Sequence, residues 1–366
     1  MEQRDLDPNL LKMYSFLVFS KLEGAVTSGM IHLGDRLGLY QGLSSFAHAV
    51  TSDELAASLQ LHPRWVQEWI HNQAAARLIE VEIDDQGIER YSMTPEAVIV
   101  LSDELHPAFG MGMFHRLPQT MASLKALPES FKTGIGLDYD SHGPEGAVGI
   151  ERSFEPWSRS YLLPVVLPAL DGAVQRLEAG AKVADIGCGA GGAAIRMAQA
   201  FPKATVTGYD ISRYALDRAL EKKSIDATAN VHFVDPRVTP LPLDESLDIV
   251  TAFDCIHDMT HPQEVMEAIR RSLKPDGIWL LVDIKALDTF GENMAKNPMA
   301  SLMYGISVMS CMSSAMSAAG GAGLGTLGLP ESKARSMAAT AGFSRFRKLE
   351  IEHSLNAFYE VRPNKP

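Results

Sequence analysis

The ten residues VADIGCGAGG, from Val183 to Gly192, constrain this chain more than any other stretch. An apolar run ends in Asp185, and glycines follow at 187, 189, 191 and 192. AAIRMAQAF then has the composition of a helix. That order predicts a strand, a tight loop and a helix start. Glycine is needed where a backbone turns sharply and lies against a ligand with no room for side chains. The helix N-terminus presents unpaired N–H groups and partial positive charge, so it favours a carboxylate or a phosphate. Gly187, Gly189 and Gly192 also fit the G-x-G-x-x-G spacing of dinucleotide sites, so the glycines alone do not choose the ligand.

Asp185, two residues before the first glycine, shifts the balance. With it, the run resembles motif I of class I methyltransferases, which bind S-adenosylmethionine. The resemblance implies that Asp185 serves the amino-acid end of that cofactor. Further on, ATVTGYD ends in Asp210. A carboxylate there suits a ribose diol, whether the cofactor is S-adenosylmethionine or a nicotinamide dinucleotide. ANVHFVD ends in Asp235, which in the family sits beside the adenine amino group. LDIVTAFD ends in Asp254, at the family's motif IV, and GIWLLVD ends in Asp283. The tail reads AGFSRFRKLEIEHS, breaks at Asn356 and continues AFYEVRP, similar to the closing antiparallel hairpin of the methyltransferase sheet. The resemblance covers roughly residues 176 to 363. It implies an α/β, Rossmann-like sheet of seven strands with the last antiparallel. The cofactor site it implies consists of Asp185, Gly187, Cys188, Gly189, Asp210, Ile211, Asp235, Pro236, Asp254 and Cys255.

With 366 residues, 46% of them hydrophobic, the chain has material for two or three cored domains. Its net charge of −12 does not favour nucleic acid or an anionic membrane as partner. The three cysteines, Cys188, Cys255 and Cys311, are widely spaced and form no C-x-x-C. They imply neither a disulfide framework nor a zinc site. The polar, acidic start MEQRDLDPNL does not read as a signal peptide, and a cytoplasmic location is expected. Residues 297–330 carry no charge and are numerous enough to span a bilayer. They are dense in Ser and Gly and lack aromatic belts and a basic flank, so a buried or cap segment is expected instead.

Residues 1–105 read as helices followed by a wing. LLKMYSFLVFSKLEGAVTSGMIHLGDRLGLY has apolar positions at helical spacing, Thr51 and Glu54 form a capping box, and a second helix is entered near Pro63. The turn IDDQGIER and the strand YSMTP predict a β-hairpin. The pattern resembles the mainly α-helical, winged-helix N-terminal domain of dimeric small-molecule O-methyltransferases, and also transcription-factor winged helices. Charge separates the two. This segment has seven Lys/Arg against sixteen Asp/Glu, a net of −9. A DNA reader needs cations to replace phosphate counterions, which this segment lacks; a homodimer is the expected assembly, with a purely structural domain as the alternative. Residues 106–175 form a connector rich in Pro, Gly and aromatics. It predicts helices over the cofactor cleft with a loop at 134–149; Tyr139, His142, Trp157 and Tyr161 of this connector either reach a substrate or pack between domains. Residues 176–366 make the cofactor domain, with a cap insertion at about 288–330.

In DCIHDMTHP, His257 lies just beyond the fourth strand of the sheet. It resembles the His of the H-D-W motif in plant-type O-methyltransferases, where that His is the general base; Met259 replaces the Trp. A base, a substrate contact and a structural role all stay open for His257. His261, before Pro262, reads as a helix-start residue. Asp254 and Asp283 alone do not make a metal site. Cys255 and Cys311 both near the cleft would fit an arsenite methyltransferase, although Cys188 lies in the cofactor loop and free cysteines are usually small buried residues. Met309, Met312 and Met316 fall on one helical face and would line an acceptor pocket or pack on a neighbouring subunit. The expected protein transfers a methyl group from S-adenosylmethionine to a small apolar or aromatic acceptor, at a hydroxyl oxygen. The alternatives are a regulator that senses S-adenosylmethionine and has lost catalysis, or transfer to nitrogen, carbon or sulfur.

Overall fold

A computed structural model describes residues 6–363. The chain divides into two compact units, Met1–Pro118 and Gln119–Pro366. Nine strands are described: β1 Glu80–Ile83, β2 Glu89–Ser92, β3 Lys182–Ile186, β4 Thr205–Tyr209, β5 Val231–Val234, β6 Leu247–Phe253, β7 Leu273–Ile284, β8 Arg345–Lys348 and β9 Asn356–Arg362.

In the first unit, the helix Pro8–Arg36 is followed by the helices Ser52–Ser58 and Pro63–Ala75 and by the antiparallel pair β1–β2. The Thr51–Glu54 capping box forms as its spacing predicts. Pro63 opens the next helix, where its missing N–H costs nothing. Tyr40, Leu55, Ile70 and Tyr91 are buried at the centre of this unit. Val50 and Tyr91 exchange backbone hydrogen bonds of 3.0 and 2.7 Å, adding a bridge to the hairpin.

The second unit holds a seven-stranded sheet of order β5-β4-β3-β6-β7-β9-β8. Strands β3 to β7 pair in parallel, while β9 runs antiparallel to β7 and to β8. The expected sheet, with its antiparallel closing strand, is therefore the one observed. Parallel strands covered by helices on both faces are buried on both faces. Accordingly VADI of β3 is buried throughout. One face packs Leu162, Leu177, Ile195, Val206 and Leu280. The other packs Ile256, Met266, Trp279, Leu281 and Phe343, with the Trp279 and Phe343 ring centroids 5.2 Å apart. Strand order reverses at β3, which opens a crevice outside the carboxyl ends of the strands.

Two local expectations need correction. Residues 143–149 are helix, not loop: Gly143–Tyr161 is continuous, with Pro144 in its first turn and Glu145 behind it. Proline with a following acid is a helix-start signal. The methionines 309, 312 and 316 do not share one helix. Ala300–Met309 ends at Ser310, whose φ and ψ are −140° and −83°, and Cys311–Ala315 begins anew. Ser307, Val308, Ser310 and Cys311 around the break all prefer the helix less than alanine or leucine does. Among the described residues no helix is long and apolar enough to cross a membrane.

Candidate active site

The glycine loop joins β3 to the helix Gly192–Ala200, at the point where the strand order reverses. Gly187 has φ +64°, and a Cβ there would lie 2.6 Å from the Cβ of Cys255. Gly189 has φ +55°, yet a Cβ on it would meet nothing within 4 Å. The backbone therefore demands glycine at 189 by conformation alone, and the space beside it is open. The Gly189 N–H donates to Asp210 Oδ2 at 2.8 Å, and the Ser212 N–H donates to Asp210 Oδ1 at 2.8 Å. The carboxylate at the end of β4 is thus aimed across the loop. Burial raises its pKa, and those N–H groups pull it back. The Cys188 N–H donates to the Tyr209 carbonyl at 3.1 Å, closing the loop against β4.

Asp185, at the end of β3, is 1% exposed. Its Oδ1 accepts from the Thr251 hydroxyl at 2.6 Å, while Oδ2 has no partner within the protein. Burial pushes this carboxyl up to about 7. Past β5, Asp235 is held by the Arg237 guanidinium, which also donates to the Ile211 carbonyl at 2.7 Å. The Arg237 hydrogen bonds hold the Asp235 carboxyl below its ordinary range. Pro236 lies between the two and is partly exposed; Ile211 is exposed.

Past β6 the chain makes a tight turn. Asp254 has φ +48°, the Cys255 thiol donates to the Ile186 carbonyl at 3.2 Å, and Ile256–Asp258 is a 3₁₀ turn. This turn lies against the glycine loop through Cys255, and Met259 reaches the same spot. Asn356, the first residue of β9, donates to the Asp254 carboxylate. Burial and then the neighbouring Asp283 push Asp254 up to about 7. His257 is 3% exposed, and its Nδ1 lies 2.6 Å from Oδ1 of Asp283, at the end of β7. Burial works against charge on the imidazole. The Asp283 carboxylate more than offsets it, and the pKa stands well above its ordinary value.

The structure thus gathers Asp185, Gly187, Cys188, Gly189 and Asp210 around one loop, and Asp254, Cys255 and His257 around the turn against it. Asp235, Pro236 and Ile211 lie at the ends of β4 and β5. In the sequence Asp283 is marked only as the residue that closes the apolar run GIWLLV, with no role attached. Asn356 was read as a break, and nothing local marks it as a partner of Asp254. Trp157 packs its ring on Phe358 and edge-on to His353, within the hydrophobic layer. His261 is the cap residue of the helix Pro262–Ser272. Among the described residues no group of three or more His, Cys, Asp or Glu side chains stands ready for a metal. A cavity of about 310 Å³ lined by Thr260, His261, Gln263, Glu264, Lys333 and Met337 contains none of the carboxylates above.

Known proteins share this layout. Residues 177–323 match the family model of a methyltransferase domain, and residues 25–102 that of an Rv2258c-like winged HTH domain. The 27-O-demethylrifamycin SV methyltransferase of Amycolatopsis mediterranei is 37% identical over 110 residues, which is 29% of this chain and 40% of that one. The chain spans less than half the length of the curated relatives it matches first. Among solved structures, a putative O-methyltransferase from Nostoc punctiforme superposes with a TM-score of 0.70 at 16% identity, over 94% of this chain and 98% of that one. Human N-acetylserotonin methyltransferase, solved in complex with SAM, gives 0.68 at 17% identity over the full length of both chains. At such identities the likeness is one of fold.

Proposed function

We propose that this chain, which belongs by its two domains to the SAM-dependent methyltransferases with an N-terminal winged helix, moves a methyl group to a hydroxyl oxygen of a small, largely apolar acceptor. The cofactor, S-adenosylmethionine, supplies an electrophilic methyl on a sulfonium. The residues present fit it. The open space beside Gly189 adjoins the Asp210 carboxylate, which would take the ribose hydroxyls. The unpartnered Asp185 Oδ2 would take a donor from the amino-acid end. Asp235 would face the adenine while keeping its Arg237 clamp.

The observation that carries oxygen as the nucleophile is the His257–Asp283 pair on the turn against the glycine loop. Methyl transfer is an in-line displacement, so alignment does much of the work. A hydroxyl also has to lose its proton, and a buried imidazole backed by a carboxylate does this well. Asp283 fixes the ring through Nδ1 and stabilises the imidazolium that forms. Burial of His257, Asp283 and Cys255 keeps bulk water away from the proton transfer.

For the winged-helix unit we infer dimerisation. Of the helix Pro8–Arg36 only Thr27, Ile31 and Gly34 are buried, while Leu10, Tyr14, Phe16, Phe19 and Leu22 are exposed. Exposed apolar side chains lie all round the first half of this helix, an arrangement that needs a cover, and a second copy supplies one. Arg64, at the start of the helix Pro63–Ala75, pairs with Glu68, which leaves that helix little charge to offer DNA.

The test is transfer of labelled methyl from S-adenosylmethionine to a panel of phenols and apolar alcohols, alongside a low-salt mobility shift with genomic DNA. Labelled ether product, lost in His257→Ala, supports the reading. Cofactor binding with no acceptor methylated and a clear DNA shift would replace it with the regulator.

A further inference from the structure

Asp140 lies in the 3₁₀ turn Tyr139–His142, just before the helix Gly143–Tyr161. Its Oδ2 accepts from the Arg213 N–H at 3.3 Å. The preceding N–H, that of Ser212, donates to Asp210 Oδ1 at 2.8 Å. Two carboxylates from distant parts of the chain therefore take consecutive backbone amides, at the start of the helix Arg213–Ile225. Consecutive amides are one peptide apart, so the two carboxylates are neighbours just beyond β4. Burial, and after it the Asp140 charge, raise the pKa of Asp210. Like charges this close repel, and a donor between them relieves both.

Each oxygen of Asp210 already accepts an N–H, from Gly189 and from Ser212. Oδ1 of Asp140 is shielded from solvent and has no partner in the protein. A buried acceptor left open is costly until a ligand or a water supplies the donor. Among the described residues the other carboxylate oxygens in that condition belong to Asp185 and Asp283, near the carboxyl ends of β3 and β7. The fold also fixes the turn that carries Asp140. In the helix behind it, Glu151 pairs with Arg218 and Lys222, and Glu155 with Arg196 and Lys222. Those cations belong to the helices Gly192–Ala200 and Arg213–Ile225, which follow β3 and β4. A Cβ on Gly192 would lie 2.0 Å from Glu155 Oε1, so the third glycine of the G-x-G-x-x-G spacing makes room for this clamp.

We propose that Asp140 is a further cofactor-binding residue, whose Oδ1 accepts from one of the two ribose hydroxyls of S-adenosylmethionine beside Asp210. The proposal rests on the cofactor reading above and adds a second acceptor for the diol. A ribose diol offers two O–H donors, and two carboxylates set side by side accept them without crowding both onto one. The pair also sets what the site refuses. A phosphate on either hydroxyl removes a donor and brings negative charge against two carboxylates, so nucleotides with a phosphorylated ribose are turned away.

The experiment is calorimetry on the full chain with S-adenosylhomocysteine, which lacks the reactive methyl, and with its 2′-deoxy and 3′-deoxy forms. Asp140→Ala should weaken binding of the parent ligand by about tenfold while circular dichroism stays unchanged. It should bind one of the two deoxy forms as wild type does, because the hydroxyl that Asp140 takes is missing there. Asp140→Asn keeps an acceptor oxygen without the charge and should show a smaller loss, cancelled by the same deoxy form. Asp140→Ala that binds the parent ligand as tightly as wild type overturns the proposal. So does an equal loss on all three ligands, which would make Asp140 a support of its turn. Should Asp140→Ala not fold, Asp140→Asn taken through the same three ligands decides. Wild type that binds S-adenosylhomocysteine no better than the variants do leaves the cofactor reading standing without Asp140; wild type that does not bind it at all ends both.

Discussion

His257 and Asp283 come from the ends of neighbouring strands, twenty-six residues apart, and meet with Nδ1 2.6 Å from the carboxylate, both at most 3% exposed. The pair makes a pH prediction. A base acts in its neutral form, and Asp283 holds the imidazole well above its ordinary pKa. Activity should therefore rise with pH through a limb lying above pH 6.5, the ordinary histidine value. His257→Ala should lower the transfer rate by about 10²–10⁴ with cofactor affinity kept. Asp283→Asn should slide the limb to lower pH, because the charge that raised it is gone and burial alone lowers it. Rate profiles of the three proteins check this, and a limb that stays put in Asp283→Asn contradicts it.

The same corner of the sheet should make stability depend on pH in an unusual direction. Asp185 and Asp254 are each pushed up to about 7 in the fold, against 3.8 for an ordinary aspartate. A folded-state pKa above the unfolded one gives stability that is whole below the unfolded value and is lost as pH climbs through the folded one. The window for both is thus from about pH 4 to about pH 7. His257, also raised, continues the loss above pH 6.5. His353, which burial holds at about 4, works the opposite way below pH 6.5 but is one group against two. Urea unfolding should show a more stable protein near pH 5 than near pH 8, and Asp185→Asn should flatten the difference. Equal stability at the two ends would refute the assignment.

Asp210 should decide cofactor affinity. Its removal leaves ribose hydroxyls unpaired and frees the Gly189 N–H. Asp210→Ala should weaken S-adenosylmethionine binding by roughly 1–3 kcal/mol. Calorimetry reads this directly, and a protein that prefers NADH would end the methyltransferase reading.

Gly136 should matter to the acceptor and not to the cofactor. A Cβ there would lie 1.9 Å from the Ser313 carbonyl oxygen, a backbone atom that cannot swing aside. Gly136→Ala should destabilise by about 1–3 kcal/mol through overpacking and shift the helix Cys311–Ala315. The acceptor KM should rise while cofactor affinity holds; equal loss of both would make the 311–315 segment a general support.

The helix Pro8–Arg36 should carry the dimer. Phe16 and Phe19 are 73% and 68% exposed in the single chain. Replacing both with Glu puts charge into the covered face and should give monomers by light scattering, where the parent chain gives dimers. A parent chain that is already monomeric disproves the interface.

Much of this protein was legible in its sequence because the signals are local. A parallel strand buried on both faces reads as an apolar run, and its carboxyl end reads as the aspartate that closes it, as at 210 and 254, or as the penultimate residue at 185. Glycines at 187 and 189 follow from the turn itself, since both adopt positive φ. The capping box at Thr51 and the helix entry at Pro63 depend on residues three or fewer places apart. Tertiary structure decided the pairings. Asn356 reaches Asp254 only because β7 alone stands between β6 and β9. Asp283 meets His257 because β7 lies beside β6 in register, Phe253 opposite Val282. The helix Cys311–Ala315 packs on the turn that carries His257 because the uncharged segment after β7 folds back over it in two short helices instead of one long helix. Strand and turn chemistry is written in neighbouring residues. Which strand ends and which insertion face one another is set by the crossovers of the sheet, and those bring together side chains that the chain keeps tens of residues apart.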